Sequence, residues 1–224
     1  MRTLLLSLVI ILVFTGCYND PDFGEVPRLT DISVYTKSLS SSTDSLVIRV
    51  GFEDGDGDLG LRENEEPEFY LLPNPVTGEV PWIYDKNDPE QIDYNCRDFR
   101  DIDVDTSDTL DRRDTVRIEY NDAYFNFGIT LFRKKDSQYQ EVSLVERNLD
   151  CGAPLGGRFF PLKDDLDTPS PLKGVLEWGT VGAYSLLYRN DTLRVDVVVR
   201  DRAGNVSNTI TLEDFTLKDI RRSE

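Results

Sequence analysis

The sequence predicts an all-β fold: two antiparallel sheets packed as a sandwich and interrupted by long loop insertions. Three observations predict it. Apolar residues recur with period two, most clearly at Leu46, Ile48, Val50 and Phe52 and again at Leu193, Val195, Val197 and Val199. Clusters of Asp, Asn, Gly, Pro and Ser separate these runs, as turns require. No stretch shows the three-and-four spacing of an amphipathic helix of useful length, and no internal repeat is visible.

The elements follow in chain order. Met1-Arg2 gives a positive start, residues 4–14 are apolar except for Ser7, and Phe14-Thr15-Gly16-Cys17 closes the run with small residues. That order is a secretory signal peptide over 1–16, and the run is too short to span a bilayer, which needs about 20 apolar residues. Residues 17–28, rich in Asn, Asp, Pro and Gly, read as a tether. Alternation begins at Ile32 and Val34, breaks at the serine-rich turn 38–42, and returns as a strand over 46–52 that runs into an acidic loop at Asp54. Further strands are expected over 69–72, 115–120, 124–132, 139–145 and 174–178, with Phe125, Phe127, Ile129 and Leu131 sharing one face. The run 193–199, a turn at 201–205, and then Val206, Ile210 and Leu212 make a hairpin. Asp/Pro-rich stretches at about 73–114 and 150–172 are insertions, so residues 29–220 are expected to form one sandwich domain.

Composition excludes whole classes of function. Apolar residues make up 39% of the chain, enough for a real core. The net charge is −17, and losing Arg2 with the leader makes the mature part −18. Such an acid excess argues against nucleic acid, whose phosphates need a basic face, and against lying flat on anionic lipid. It leaves carboxylates for a divalent cation. Histidine is absent, which removes Ser–His–Asp and Cys–His catalysis and the histidine-rich zinc and copper sites.

The sharpest local signal is Asp54-Gly55-Asp56-Gly57-Asp58. Alternate carboxylates spaced by glycine let the backbone curl and turn several oxygens on one hard cation, so Asp54, Asp56 and Asp58 are candidate calcium ligands. Counted from Asp54, Glu65 takes the twelfth place of an EF-hand loop, but the sixth is Leu59, where that turn needs glycine, and a strand precedes the loop. The expectation is therefore a calcium-binding interstrand loop rather than an EF-hand. Asp201 and Asn205 of the last hairpin are candidates for the same end of the sandwich. Asp101, Asp103 and Asp105, or Asp164 and Asp165, offer paired carboxylates, yet 42 acidic residues make such pairs frequent by chance. Trp82, Tyr84 and Tyr94 are candidate ligand contacts for a sugar or peptide, Trp82 being the least core-like, while Trp178 reads as a packing residue. Arg112-Arg113 and Arg133-Lys134-Lys135 are short basic spots that offset nearby carboxylates.

Two resemblances add to this reading. Phe14-Thr15-Gly16-Cys17 resembles the lipobox of bacterial lipoproteins, which implies cleavage before Cys17 and a lipidated Cys17 holding the chain to a membrane. Asp20 and Asp22 resemble the acidic export signal of surface-exposed lipoproteins. Phe52-Glu53-Asp54-Gly55-Asp56-Gly57-Asp58-Leu59-Gly60, Pro171-Leu172-Lys173-Gly174 and Arg200-Asp201-Arg202-Ala203-Gly204-Asn205-Val206-Ser207-Asn208 together resemble the uncharacterised Ig-like lipoproteins of the Bacteroidota. That family implies an Ig-like sandwich at the cell envelope and no established biochemical activity. With Cys17 given to lipid, Cys96 and Cys151 remain in an oxidising compartment and are expected to form one disulfide. It would close a loop of about 55 residues, worth about 4 kcal/mol in the chain-entropy picture, and pin the two insertions together.

The function expected is that of a non-enzymatic, lipid-anchored outer-membrane module, on the periplasmic or cell-surface face. It would meet a protein or glycan partner and be stiffened by calcium. The alternatives are an accessory structural subunit of an outer-membrane complex and, less favoured, a carboxylate-dependent glycoside hydrolase.

Overall fold

The alternation at 46–52 becomes the centre of strand β2 (Asp44–Asp54), which pairs antiparallel with β1 (Arg28–Ser38) on one side. The computed structural model describes residues 21–40, 43–85, 87, 98–103, 113–142 and 155–222. Cys17, Cys96 and Cys151, with the lipidation and disulfide expected of them, lie outside the described residues, as do Tyr94, Asp105 and Arg112.

The other flank of β2 pairs along its whole length with a late strand, Leu172–Gly182, so β2 is covered on both edges. This explains why Val47 on the alternate face is buried with Leu46, Ile48, Val50 and Phe52. A second antiparallel sheet is built from β6 (Phe127–Lys135), flanked by the short strand β7 (Gln138–Glu141) and by the strand Leu193–Val199, which in turn pairs with Ile210–Phe215. Between the two sheets in sequence lie β3 (Phe69–Leu71), β4 (Phe99–Asp103) and β5 (Arg113–Tyr120), a third, small antiparallel sheet in the order β3-β5-β4. The late strands are therefore β8 (Leu172–Gly182), β9 (Leu193–Val199) and β10 (Ile210–Phe215).

One hydrophobic core joins the first two sheets. Val34, Leu46, Ile48, Val50, Phe52 and Leu176 of the first meet Phe127, Leu131, Val195, Val197, Val199 and Phe215 of the second. Each such side chain contributes about 1.5–3 kcal/mol by leaving water. Trp178 of β8 stacks on Phe127 at 5.7 Å between ring centroids, and its indole N–H donates to the Leu155 carbonyl at 3.0 Å. This is the packing role expected of Trp178. The protein is an all-β antiparallel sandwich, and its described helices are one α-turn at Tyr184–Leu187 and one 3-10 turn at Asp122–Tyr124. No helix among the described residues is long and apolar enough to cross a membrane.

Several boundaries differ from the sequence reading, each for a physical reason. Phe125 ends the 3-10 turn and does not share the β6 face, because the Asn121 side chain accepts from the Ala123 N–H and curls the chain there. Strand β4, inside the stretch read as an insertion, is too rich in charge to announce itself. It needs only Phe99 in the interior, while Asp101 accepts from the Thr115 hydroxyl across the sheet. Strand β8 runs four residues beyond Trp178, carried by its ladder to β2.

Candidate metal centre

Strand β2 ends at Asp54, opposite Leu172 of β8, and the acidic loop begins there. Gly57 has φ +69°, a left-handed conformation, and a Cβ on it would lie 2.2 Å from the Ser170 carbonyl oxygen, so this turn requires glycine. The resulting curl gathers Asp54, Asp56 and Asp58 so that one carboxylate oxygen from each lies within 4.8 Å of the others. The structure thus brings together the three residues that the sequence singles out.

The environment of these oxygens is more telling than their spacing. Asp54 is 0% exposed, and neither of its carboxylate oxygens has a hydrogen bond of normal geometry, although the Leu59 backbone lies near enough to favour the ionised form in part. One oxygen each of Asp56 and Asp58 is likewise buried and unpartnered. The other Asp58 oxygen accepts from the Ala203 N–H at 3.1 Å. Lys163 reaches the loop, but its ammonium donates to the Asp56 and Thr168 carbonyls, both at 2.9 Å, and so holds the main chain rather than a carboxylate. Leaving a buried carboxylate without partner costs several kcal/mol, and a protein resolves that cost with a proton or a cation.

Asp201, from the turn between β9 and β10, sits behind the cluster and is 1% exposed. It bridges to Leu59, and its two oxygens accept from the Asn205 backbone and side-chain N–H groups at 2.7 and 2.8 Å. Its charge adds to the field, while Asn205 keeps its carboxylate occupied. Glu65, the twelfth position of the discarded EF-hand count, turns instead to Arg202 at 2.6 Å and to the Arg62 N–H at 2.7 Å. The hairpin turn therefore grips the acidic loop from the second sheet through Asp201, Arg202 and Ala203. The sequence carried the signal for this in Asp201 and Asn205, but only the fold places them.

Burial pushes the Asp54 carboxyl up to about 7, reinforced by the charges of Asp56, Asp58 and Asp201. Asp58 is raised to about 6 by burial and then by Asp201 and Asp56. A group whose folded pKa exceeds its unfolded value stabilises the fold fully below the unfolded value and loses that contribution as pH rises through the folded one. In the metal-free protein the melting temperature should therefore fall between about pH 5 and 7.5. The carboxylates held low by partners, such as Glu65, Asp196 and Asp214, change state only in more acid solution. Calcium, which needs the ionised forms, should remove or reverse the fall. Melting curves in EDTA and in calcium across this range check both signs, and an unchanged or rising melting temperature in EDTA would contradict the assignment.

The three carboxylates offer oxygen alone, with no imidazole anywhere in the chain, which is a donor set for a hard cation rather than zinc. Asp54, Asp56 and Asp58 would hold the ion, which would supply the countercharge the buried oxygens lack.

The other candidate residues are dispersed. Trp82 and Tyr84 lie beside β5, where the Arg117 N–H donates to the Trp82 carbonyl and the Tyr84 N–H to the Thr115 carbonyl. Both rings are half-buried; Arg117 covers one face of Trp82 at 4.3 Å, and Tyr84 meets Phe99 edge-on at 4.8 Å. Each ring is thus packed by a neighbour on one side and remains partly open to solvent. Asp164 is exposed, and Asp165 accepts from the Asp167 and Thr168 N–H groups within its own turn. Arg133 and Lys134 pair with Asp191 at 3.7 Å and Asp214 at 2.6 Å, as offsetting charges should. No protein-family model matches the chain, and neither does any curated protein or solved structure.

Proposed function

We propose that this chain is a non-enzymatic, lipid-anchored module of the bacterial outer membrane. Cys17 carries the lipid, and calcium held by Asp54, Asp56 and Asp58 stiffens the pole of the sandwich nearest the anchor. The observation that carries the proposal is the fully buried, unpartnered Asp54 carboxylate at the point where the N-terminal segment joins the body. A buried charge there is at odds with a metal-free body. The body beyond it is rigid two-sheet scaffold, and its partner, a protein or a glycan, meets surface away from the lipid. Membership of the Ig-like lipoproteins of the Bacteroidota, on the periplasmic or cell-surface face, belongs to the same proposal.

Detergent-phase partition together with the mass of the N-terminal peptide tests the anchor. The wild-type chain should enter the detergent phase, with residue 17 as its acylated first residue. Cys17→Ala should remain in the aqueous phase. An unmodified Cys17, a retained leader, or the same partition for both chains would contradict the proposal.

A further inference from the structure

We infer that the calcium ion also fastens the N-terminal strap to the body, so that metal binding sets how firmly the sandwich is held to its tether. This rests on the calcium reading of the Asp54–Asp58 loop. Composition marks residues 17–28 as a plain linker, yet its described part, from residue 21, lies against the acidic loop. The Gly55 N–H donates to the Gly24 carbonyl at 2.9 Å. A Cβ on Gly55 would fall 2.3 Å from the Phe23 oxygen and 2.7 Å from the Gly24 oxygen, so strap and loop backbones lie in direct contact. The Lys173 ammonium stands 5.8 Å from the Phe23 ring centre and pairs at 2.7 Å with Glu53, the residue before Asp54. These contacts of Phe23 and Gly24 end on Gly55, or on a lysine that Glu53 holds.

The rest of the loop is pinned from the opposite side. Asp56 gives its carbonyl to the Ser170 N–H at 3.0 Å and to Lys163. Asp58 takes the Ala203 N–H, Leu59 bridges to Asp201, and the Leu61 N–H donates to the Phe159 carbonyl. Asp54 itself is fixed by the ladder between β2 and β8. Without a cation, the buried carboxylates repel one another, and Gly55 is the link whose backbone N–H bonds to the strap. Relief of that repulsion therefore moves Gly55 and breaks its bond to Gly24. With calcium in place, Asp54 and Asp56 are drawn to one centre, Gly55 between them is fixed, and the strap is fixed with it. Phe23 is six residues from Cys17, a reach of at most about 20 Å. A fastened strap thus keeps the acidic pole close to the lipid, whereas a released one lets the body swing.

Backbone 15N relaxation at Phe23, Gly24 and Glu25, measured on the mature chain in micelles alongside calcium titration calorimetry, separates the two ideas. With calcium, the order parameters should approach about 0.85; in EDTA they should fall below about 0.6. Calcium binding with unchanged strap order would overturn the fastening and leave the metal site standing. Failure of the wild-type chain to bind calcium would overturn both.

Discussion

Asp54→Asn is expected to act in opposite directions with and without calcium. In calcium it should weaken binding by about a hundredfold or more, because it removes a charged ligand from a three-carboxylate set. The metal-dependent rise in melting temperature should disappear with it. In EDTA the same substitution should stabilise the protein. It removes a buried charge that has no partner, and the new amide N–H can donate to the unpartnered oxygens of Asp56 and Asp58. Relief of that kind is worth about 1–3 kcal/mol. For a domain of this size it raises the melting temperature by about 3–10 °C. A destabilised variant in EDTA would mean that Asp54 has a partner in the metal-free protein and that the charge argument fails. Ala203, Lys163 and the β2–β8 ladder are untouched, so the loop should keep its course.

Phe127→Ala is the second large effect, and it tests the sandwich rather than the site. Phe127 is 1% exposed, stacked on Trp178 and set edge-on to Phe159 at 6.3 Å, so it joins β6 to β8 across the two sheets. Its main chain also bonds reciprocally with Gly157, at 2.9 and 2.8 Å, and this pair of bonds survives the substitution. The loss is therefore one of side-chain packing. Truncating a buried phenylalanine costs about 3–5 kcal/mol, which lowers the melting temperature by about 10 °C in a domain of this length. The shift should appear both in calcium and in EDTA, because it comes from core packing and not from the carboxylates. A shift under about 2 °C would show that Trp178 and Phe159 close over the gap and that the ring is not a keystone of the core.

How much of this was legible in the sequence depends on how strongly each residue is held to one face. The runs 46–52 and 193–199 read directly as strands because one face of each is sunk in the core. Strand β4 did not, since Phe99-Arg100-Asp101-Ile102-Asp103 belongs to a small sheet where few side chains are buried. At the site, the spacing of Asp54, Asp56 and Asp58 was visible, and so was the mismatch of Leu59 with an EF-hand turn. The burial of Asp54 was not visible, because it follows from the register of β2 against β8 and from the return of the β9–β10 turn. The strap was least legible of all. Asn, Asp, Pro and Gly look like a free linker, and what holds Gly24 is a backbone carbonyl, which no side-chain pattern encodes.

Calcium titration into the metal-stripped mature chain, followed by calorimetry at pH 7.5, tests the central claim most directly. The buried carboxylates predict one ion bound per chain, lost in Asp54→Asn, with a higher melting temperature in calcium than in EDTA. No binding heat, together with identical melting in calcium and in EDTA, would contradict it.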